Sequence, residues 1–197
     1  LSSPQGGKLP TLIVRPIEAI GEDAEKLIAR GLTADLIHDL SKVSGLWVVS
    51  GGGFEPSGEP SPADPATVRE GETTPLSSGG RYALDGTLQS DGKTLRLHVR
   101  LSDPIAGRQL WSHRFEHEVR DLFAVQDELA RSIVEQLPIK VSQAEMASLA
   151  QRYTRNLAAY EHFLRGQAAV QARRRAQNDL ARKWYWKAIE LDPAFSR

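Results

Sequence analysis

The chain has 197 residues, 40% of them hydrophobic and 25% charged, with 25 basic side chains balancing 25 acidic ones. That balance describes a globular chain and excludes a disordered or membrane-embedded one, since no apolar run approaches the ~18–20 residues a span requires. Zero cysteines exclude disulfides, thiolate zinc sites and a cysteine nucleophile, and leave the redox compartment open.

The length accommodates one ordinary domain plus a smaller appendage. No basic segment followed by an apolar stretch is visible, so no signal peptide is read. The chain opens at Leu1 and stops at Arg197 inside a repeat motif. It therefore reads as a fragment, and its compartment, cytoplasm or periplasm, depends on segments before Leu1. Charge is unevenly spread: residues 1–140 hold 15 Lys/Arg against 20 Asp/Glu, and the remaining 57 hold 10 against 5. The mildly basic tail is a weak pointer to an anionic partner.

Residues 1–10 are a polar lead-in. Thr11–Ile17, TLIVRPI, suits a strand whose last residues leave the sheet near Pro16. Asp23–Val43 reads as helix, because Ile28, Leu32, Leu36 and Leu40 recur every four residues. Gly31 inside it costs roughly 1 kcal/mol against Ala, so a close neighbour is expected there. Gly45 ends the helix, and Leu46–Ser50 is the next strand. Strand, helix and strand with short joints predict a βαβ unit with parallel strands.

Gly51–Gly80 holds five of the 11 prolines and seven of the 16 glycines. It reads as a long mobile loop, with one short helix from Asp64-Pro65 to Glu70. Three strands follow. Leu84, Gly86 and Leu88 alternate with polar residues, Asp91-Gly92 signals a hairpin, and Leu95, Leu97, Val99 and Leu101 form one face of the second strand. Asp103-Pro104 to Gly107 turns the chain into Gln109–Phe115. Past Asp121, an N-cap residue type, the period changes to a helical stripe of Leu122, Val125, Leu129, Ile133 and Leu137. Helix then continues from Ser142 to about Arg152. Thr154 or Asn156 caps another, in which Leu157, Tyr160, Leu164, Ala168 and Gln171 share a face. Arg173, Arg174 and Arg175 interrupt, and Asn178 or Asp179 opens the last helix.

The residue types that do chemistry do not converge in this pattern. His113 and His117 in HRFEH sit on a strand, where four residues span about 13 Å, too far to share an ion at ~2.1 Å. Ser50-Gly51-Gly52-Gly53 lacks the third glycine of a dinucleotide fingerprint, having Pro56 there, and lacks the Gly-Lys-Ser/Thr of a phosphate-binding loop. No Gly-x-Ser-x-Gly elbow occurs. Asp127-Glu128 reads as a solvated helix face. The basic cluster Arg173, Arg174 and Arg175, with Arg165, Arg182 and Lys183 near, would meet phosphates. A nucleic-acid reader needs wider basic charge with interleaved aromatics, so none is expected here.

Ala181, Tyr185, Ala188 and Pro193, with the run AIELDP, stand at the spacing of the second helix of a tetratricopeptide repeat, which this segment resembles. Small residues allow close helix approach, Tyr185 fills the space between helices and Pro193 ends the helix. Gly166 lies 15 residues before Ala181, longer than the usual separation, as in an atypical capping repeat. Trp184, Tyr185 and Trp186 cannot all face one neighbour, since each step turns about 100°. Against the plainer reading that all three serve the core, Trp184 or Trp186 is predicted to be strongly exposed or buried against a second copy.

Residues 9–140 are similar to a second family, the TolB amino-terminal-like domain that precedes tetratricopeptide arrays in bacterial cyclase-type and winged-helix regulators. Gly31-Leu32-Thr33, Gly45-Leu46-Trp47-Val48-Val49, Arg81–Thr87, Leu101–Trp111 and Asp121–Glu128 carry the likeness. Tyr153–Leu157 and Phe163-Leu164-Arg165-Gly166 look like its junction to the repeats. The sequence departs from that family at Gly71–Gly80, where a helix usually leads into the third strand.

The expected architecture is α/β (α+β). A five-stranded mixed sheet, a βαβ unit and then an antiparallel meander, carries two packed helices and leads to an all-α, tetratricopeptide-like helical hairpin. Residues 1–140 would form the TolB-like domain, 141–155 a connecting helix and 156–197 the first, incomplete repeat. The resemblances imply a non-catalytic regulatory and protein-interaction module of a bacterial signalling protein, with no cofactor, metal or catalytic residue. Any cyclase activity would lie outside this segment. Trp184, Tyr185, Trp186, Arg173, Arg174 and Arg175 are the candidate interaction residues, toward a protein partner, further repeats of the same chain, or a second copy. Neither nucleic-acid contact nor a membrane span is expected. The competing expectation is a nucleotide- or small-ligand-binding or enzymatic domain with its site on Gly51–Gly80.

Overall fold

β1 (Thr11–Val14) runs between β3 (Trp47–Ser50) and β4 (Arg81–Ser90), parallel to both. These positions come from a computed structural model that describes residues 9–51, 81–149, 154–171 and 175–195. The anticipated βαβ unit is therefore present, with its two strands adjacent. β4 pairs antiparallel with β5 (Thr94–Asp103), and β5 with β6 (Arg108–Glu118), giving the order β3-β1-β4-β5-β6. The expected hairpin at Asp91-Gly92 is there as a three-residue connection. Asp91 Oδ1 accepts from the Lys93 and Thr94 amides at 3.0 and 2.7 Å, and Gly92 sits at φ +86°. That left-handed backbone is why glycine stands there.

One strand was not anticipated. The chain leaves the sheet at Arg15-Pro16, as the proline predicts, but re-enters as β2 (Glu18–Ile20), which pairs parallel with the far end of β4. A sheet of five expected strands thus has six. Between the two pieces, the buried Ile17 donates its amide to Thr33 Oγ1 at 3.0 Å, so the break is held by the helix above it.

α1 (Asp23–Leu40) and α2 (Leu122–Gln136) cover one face of the sheet. α1 ends at Leu40, three residues short of the anticipated Val43, where Ser41 donates its amide back to Ile37. The four-residue repeat of Ile28, Leu32, Leu36 and Leu40 is buried, as is the α2 stripe from Leu122 to Ile133. Both meet the inward side chains of the meander, among them Leu88, Leu95, Leu97, Leu101 and Phe115, each at most 1% exposed. Burying one such side chain stabilises by roughly 1.5–3 kcal/mol, which is why the period-two pattern determines which face the helices take. Asp121 does stand at the N-cap of α2, entered through a 3-10 turn at Val119–Asp121, but its side chain makes no capping bond.

α3 (Gln143–Leu149) starts on a capping box. Ser142 Oγ accepts from the Glu145 amide at 3.2 Å, and Glu145 Oε2 accepts from the Ser142 amide at 2.9 Å. The rest of the anticipated helix, to Arg152, lies outside the described residues. α4 (Leu157–Gln171) packs on α1 with one side and on α5 (Arg175–Leu191) with another. The close neighbour expected at Gly31 is α4: a Cβ there would sit 2.6 Å from a Leu164 methyl and 2.7 Å from the Tyr160 hydroxyl. α5 opens at Arg175, earlier than Asn178, so the break expected from Arg173 to Arg175 does not include Arg175; a helix tolerates arginine as readily as leucine.

Candidate interaction surface

The ends of α4 and α5 are latched together. Asn156 caps α4, its Oδ1 accepting from the Ala159 amide at 3.2 Å, while its Nδ2 donates to the Leu191 carbonyl at 2.9 Å. The Thr154 hydroxyl donates to Asp192 Oδ2 and accepts from the Asn156 amide. Between the helices the buried Ala181 and Ala188 permit close approach, and Tyr185 lies over Gly166. A Cβ at Gly166 would fall 2.5 Å from the Tyr185 ring, so only glycine leaves room. Phe163 meets the same ring with centroids 5.8 Å apart. Partial burial raises the Tyr185 phenol above its ordinary pKa.

The three consecutive aromatics point three ways, as the 100° step demands. Tyr185 turns inward. Trp184 stacks on His162 with centroids 5.2 Å apart, and Arg165 Cζ and Lys187 Nζ each lie 5.1 Å from its ring. Trp186 stands out at 62% exposure. Near it, Phe163, Tyr185, Ala188, Ile189 and Phe195 line an apolar groove of about 250 Å³, in which Ile189 is exposed. The Phe195 ring meets Phe163 edge-on at 5.2 Å, so the turn after Pro193 forms one wall. Of the arginine cluster, Arg175 is the first residue of α5, and Arg173 and Arg174 lie outside the described residues. Phe163, Ile189 and Phe195 were not singled out by the sequence as surface residues. An exposed apolar residue in a short amphipathic helix looks like core until its neighbours are known.

Elsewhere several ionisable groups pair off among the described residues. On the open face of the sheet Asp85 takes Arg15 at 2.9 Å and Arg100 at 3.6 Å, beside a shallow dent that also involves His98 and Gly51. The competing site on Gly51–Gly80 otherwise falls outside the described residues. His113 sits between Trp111 and Phe115 on β6, and His117 faces Glu128 of α2 at 3.6 Å. Among the described residues no group of three or more His, Asp or Glu is disposed to hold a metal, and no helix is long and apolar enough to cross a membrane.

No protein-family model matches the chain. It is 31% identical over 199 residues to a protein of Rhizobium meliloti (strain 1021) named "Putative adenylate cyclase 3". The match takes in 98% of this chain and 32% of that protein, so the chain spans about a third of the relative's length. Solved structures with a similar arrangement include TolB from Acinetobacter baumannii, at TM-score 0.44 and 12% identity, covering 66% of this chain and 29% of TolB. Lipoprotein GNA1162 from Neisseria meningitidis follows at TM-score 0.39 and 20% identity, covering 64% of this chain and 96% of its own.

Proposed function

We propose that these residues form a non-catalytic regulatory and protein-interaction module of a bacterial cyclase-type signalling protein, in which α4 and α5 begin a tetratricopeptide-type stack. The observation that carries this reading is the bare apolar side of α5. Trp186, 62% exposed, lies one turn before Ile189, which is 44% exposed and lines the groove under Phe195. Apolar surface left in water forgoes about 25 cal/mol per Å², and a tryptophan beside a groove is the usual form of a contact anchor. The face is read as a seat for the next helical repeat of the same polypeptide. The alignment to a third of a protein named as a cyclase supports the accessory role, and any cyclase activity of a parent protein would reside in other residues.

The test is a variant in which Trp186 is the single reporter, with Trp47, Trp111 and Trp184, and any tryptophan outside these 197 residues, changed to Phe. Its iodide quenching would be compared between the 197-residue chain and the full-length product of the same gene. Protection and a blue-shifted emission in the longer protein are expected. Trp186 equally open to iodide in both, at all concentrations, would overturn the reading.

A further inference from the structure

β6 is the longest strand of the sheet and ends it. Among the described residues no strand pairs with its outer edge, while the opposite edge, β3, is only four residues long. The Val119 amide donates to the Lys93 carbonyl at 2.8 Å, so by the period of two the odd-numbered residues of β6 bond to β5. Ser112, Arg114, Glu116 and Glu118 therefore turn their N–H and C=O groups outward, and all four are exposed. The register shift at Leu101/Ser102 skips Leu110 and leaves Trp111–Glu118 as a regular open ladder. A bulge, a proline or a very short strand commonly closes such an edge, and this stretch has none of them. It has charges, but of both signs, and charges of both signs can match a copy of themselves.

We infer that β6 is the seam of a two-fold dimer, in which a second copy of this chain adds its own β6 antiparallel and the two sheets become one. The order of the charges selects that occupant. A two-fold axis normal to the sheet passes through one residue, which then faces its own copy. With the axis at Phe115, Arg114 faces Glu116 of the second copy, Glu116 faces Arg114, and Ser112 faces Glu118. These are the residues whose backbone groups point outward, so hydrogen bonding and charge agree on one register. Moving the axis by one residue sets Arg114 or Glu116 against itself. Moving it by two sets Glu116 against Glu118, or brings the skipped Leu110 into the ladder. Opposite charges directly across a strand pair stabilise it and like charges oppose it. A strand carrying one sign of charge would satisfy only half of this edge. The chain as a whole has 25 basic and 25 acidic side chains, so two copies approach without net repulsion. This seam is separate from the bare face of α5, and either can fail without the other.

Sedimentation velocity of the 197-residue chain over a concentration series is the experiment, and a monomer–dimer equilibrium is expected. Arg114→Glu and Glu116→Lys should each weaken dimerisation by about tenfold or more, because each sets like charges across the seam. An equimolar mixture of the two variants should restore it, since every Arg114/Glu116 pairing between the two chains is then opposite in sign. Trp186→Ser should leave the dimer unchanged. Circular dichroism melts check that each variant folds, and cross-linking supplies a route that does not depend on the charge variants. The chain has no cysteine, so Ser112→Cys mixed with Glu118→Cys should give an intermolecular disulfide on mild oxidation. Neither variant alone should do so, because each of these positions would lie about 20 Å from its own copy. A chain monomeric at every concentration, a dimer that both charge variants leave intact, a mixture that fails to restore it together with no mixed disulfide, or a dimer lost with Trp186→Ser would overturn the inference.

Discussion

The Tyr160 hydroxyl donates a 2.5 Å hydrogen bond to Asp35 Oδ2, 125 residues earlier in the chain. Through this contact α4 is tied to α1, and Gln126 of α2 reaches the same two groups at 3.5 Å. The Tyr160 ring also meets Phe123 edge-on at 5.4 Å. Three helices thus share one polar knot beside the core, and the helical pair is positioned on the sheet domain by it.

Removing only the hydroxyl tests that knot. Tyr160→Phe keeps the ring against Phe123 and leaves Asp35 and Gln126 short of one partner. A hydrogen bond to a charged group is worth about 1–3 kcal/mol, so urea denaturation should register a loss in that range. Hydrogen exchange should show α4 loosening before the sheet. No change in either measurement would mean that the contact is replaced by water at no cost.

The two glycines under α4 and α5 make opposite demands on helix propensity and packing. Alanine is the better helix former by about 1 kcal/mol, yet overpacking costs typically ~1–3 kcal/mol. At Gly166 the obstruction is the rigid Tyr185 ring at 2.5 Å, so Gly166→Ala should be net destabilising, read as a lowered melting temperature. At Gly31 the nearest atoms belong to Leu164. Gly31→Ala combined with Leu164→Ala should therefore cost less than the sum of the two single changes in a double-mutant cycle.

Glu145 carries a pH dependence whose sign is determined. Hydrogen bonds from Ser142 and Ser44 hold its carboxyl well below the ordinary glutamate range, at about 2. A depressed carboxyl contributes stability that is complete above the unfolded-chain value and is lost as the pH falls through about 2. Protection of the Ser44 and Ser142 amides should fall across that acid window in the natural chain. In Glu145→Gln their exchange should be fast and nearly pH-independent there once intrinsic rates are divided out.

Adjacent aromatics on α5 should respond very differently to truncation. Tyr185→Ala removes the ring that fills the space over Gly166 and is expected to cost about 2–4 kcal/mol. Trp186→Ala, at 62% exposure, should stay within about 0.5 kcal/mol in the isolated chain. Equal losses at both positions, measured by denaturant unfolding, would mean that Trp186 is packed within its own chain.

Much of this molecule is legible without coordinates, because alternation and four-residue repeats state which side chains must leave water. Leu95, Leu97, Val99 and Leu101 declare one sheet face, Leu122 to Ile133 the stripe that covers it, and Ala181, Tyr185 and Ala188 a helix built for a close neighbour. A period does not say which partner covers the face it marks. β2 is three residues long and earns its place only by pairing with β4, so no local pattern announces it. Gly31 asks for something near, but that it is Leu164 and Tyr160 follows from how α4 lies on α1. Likewise three aromatics in a row must diverge, yet which one is left bare depends on where Gly166, His162 and Phe163 happen to stand. Local chemistry determined the elements and their wet and dry sides; the choice of partners, and with it the bare face of α5, was made by packing between residues far apart in the chain.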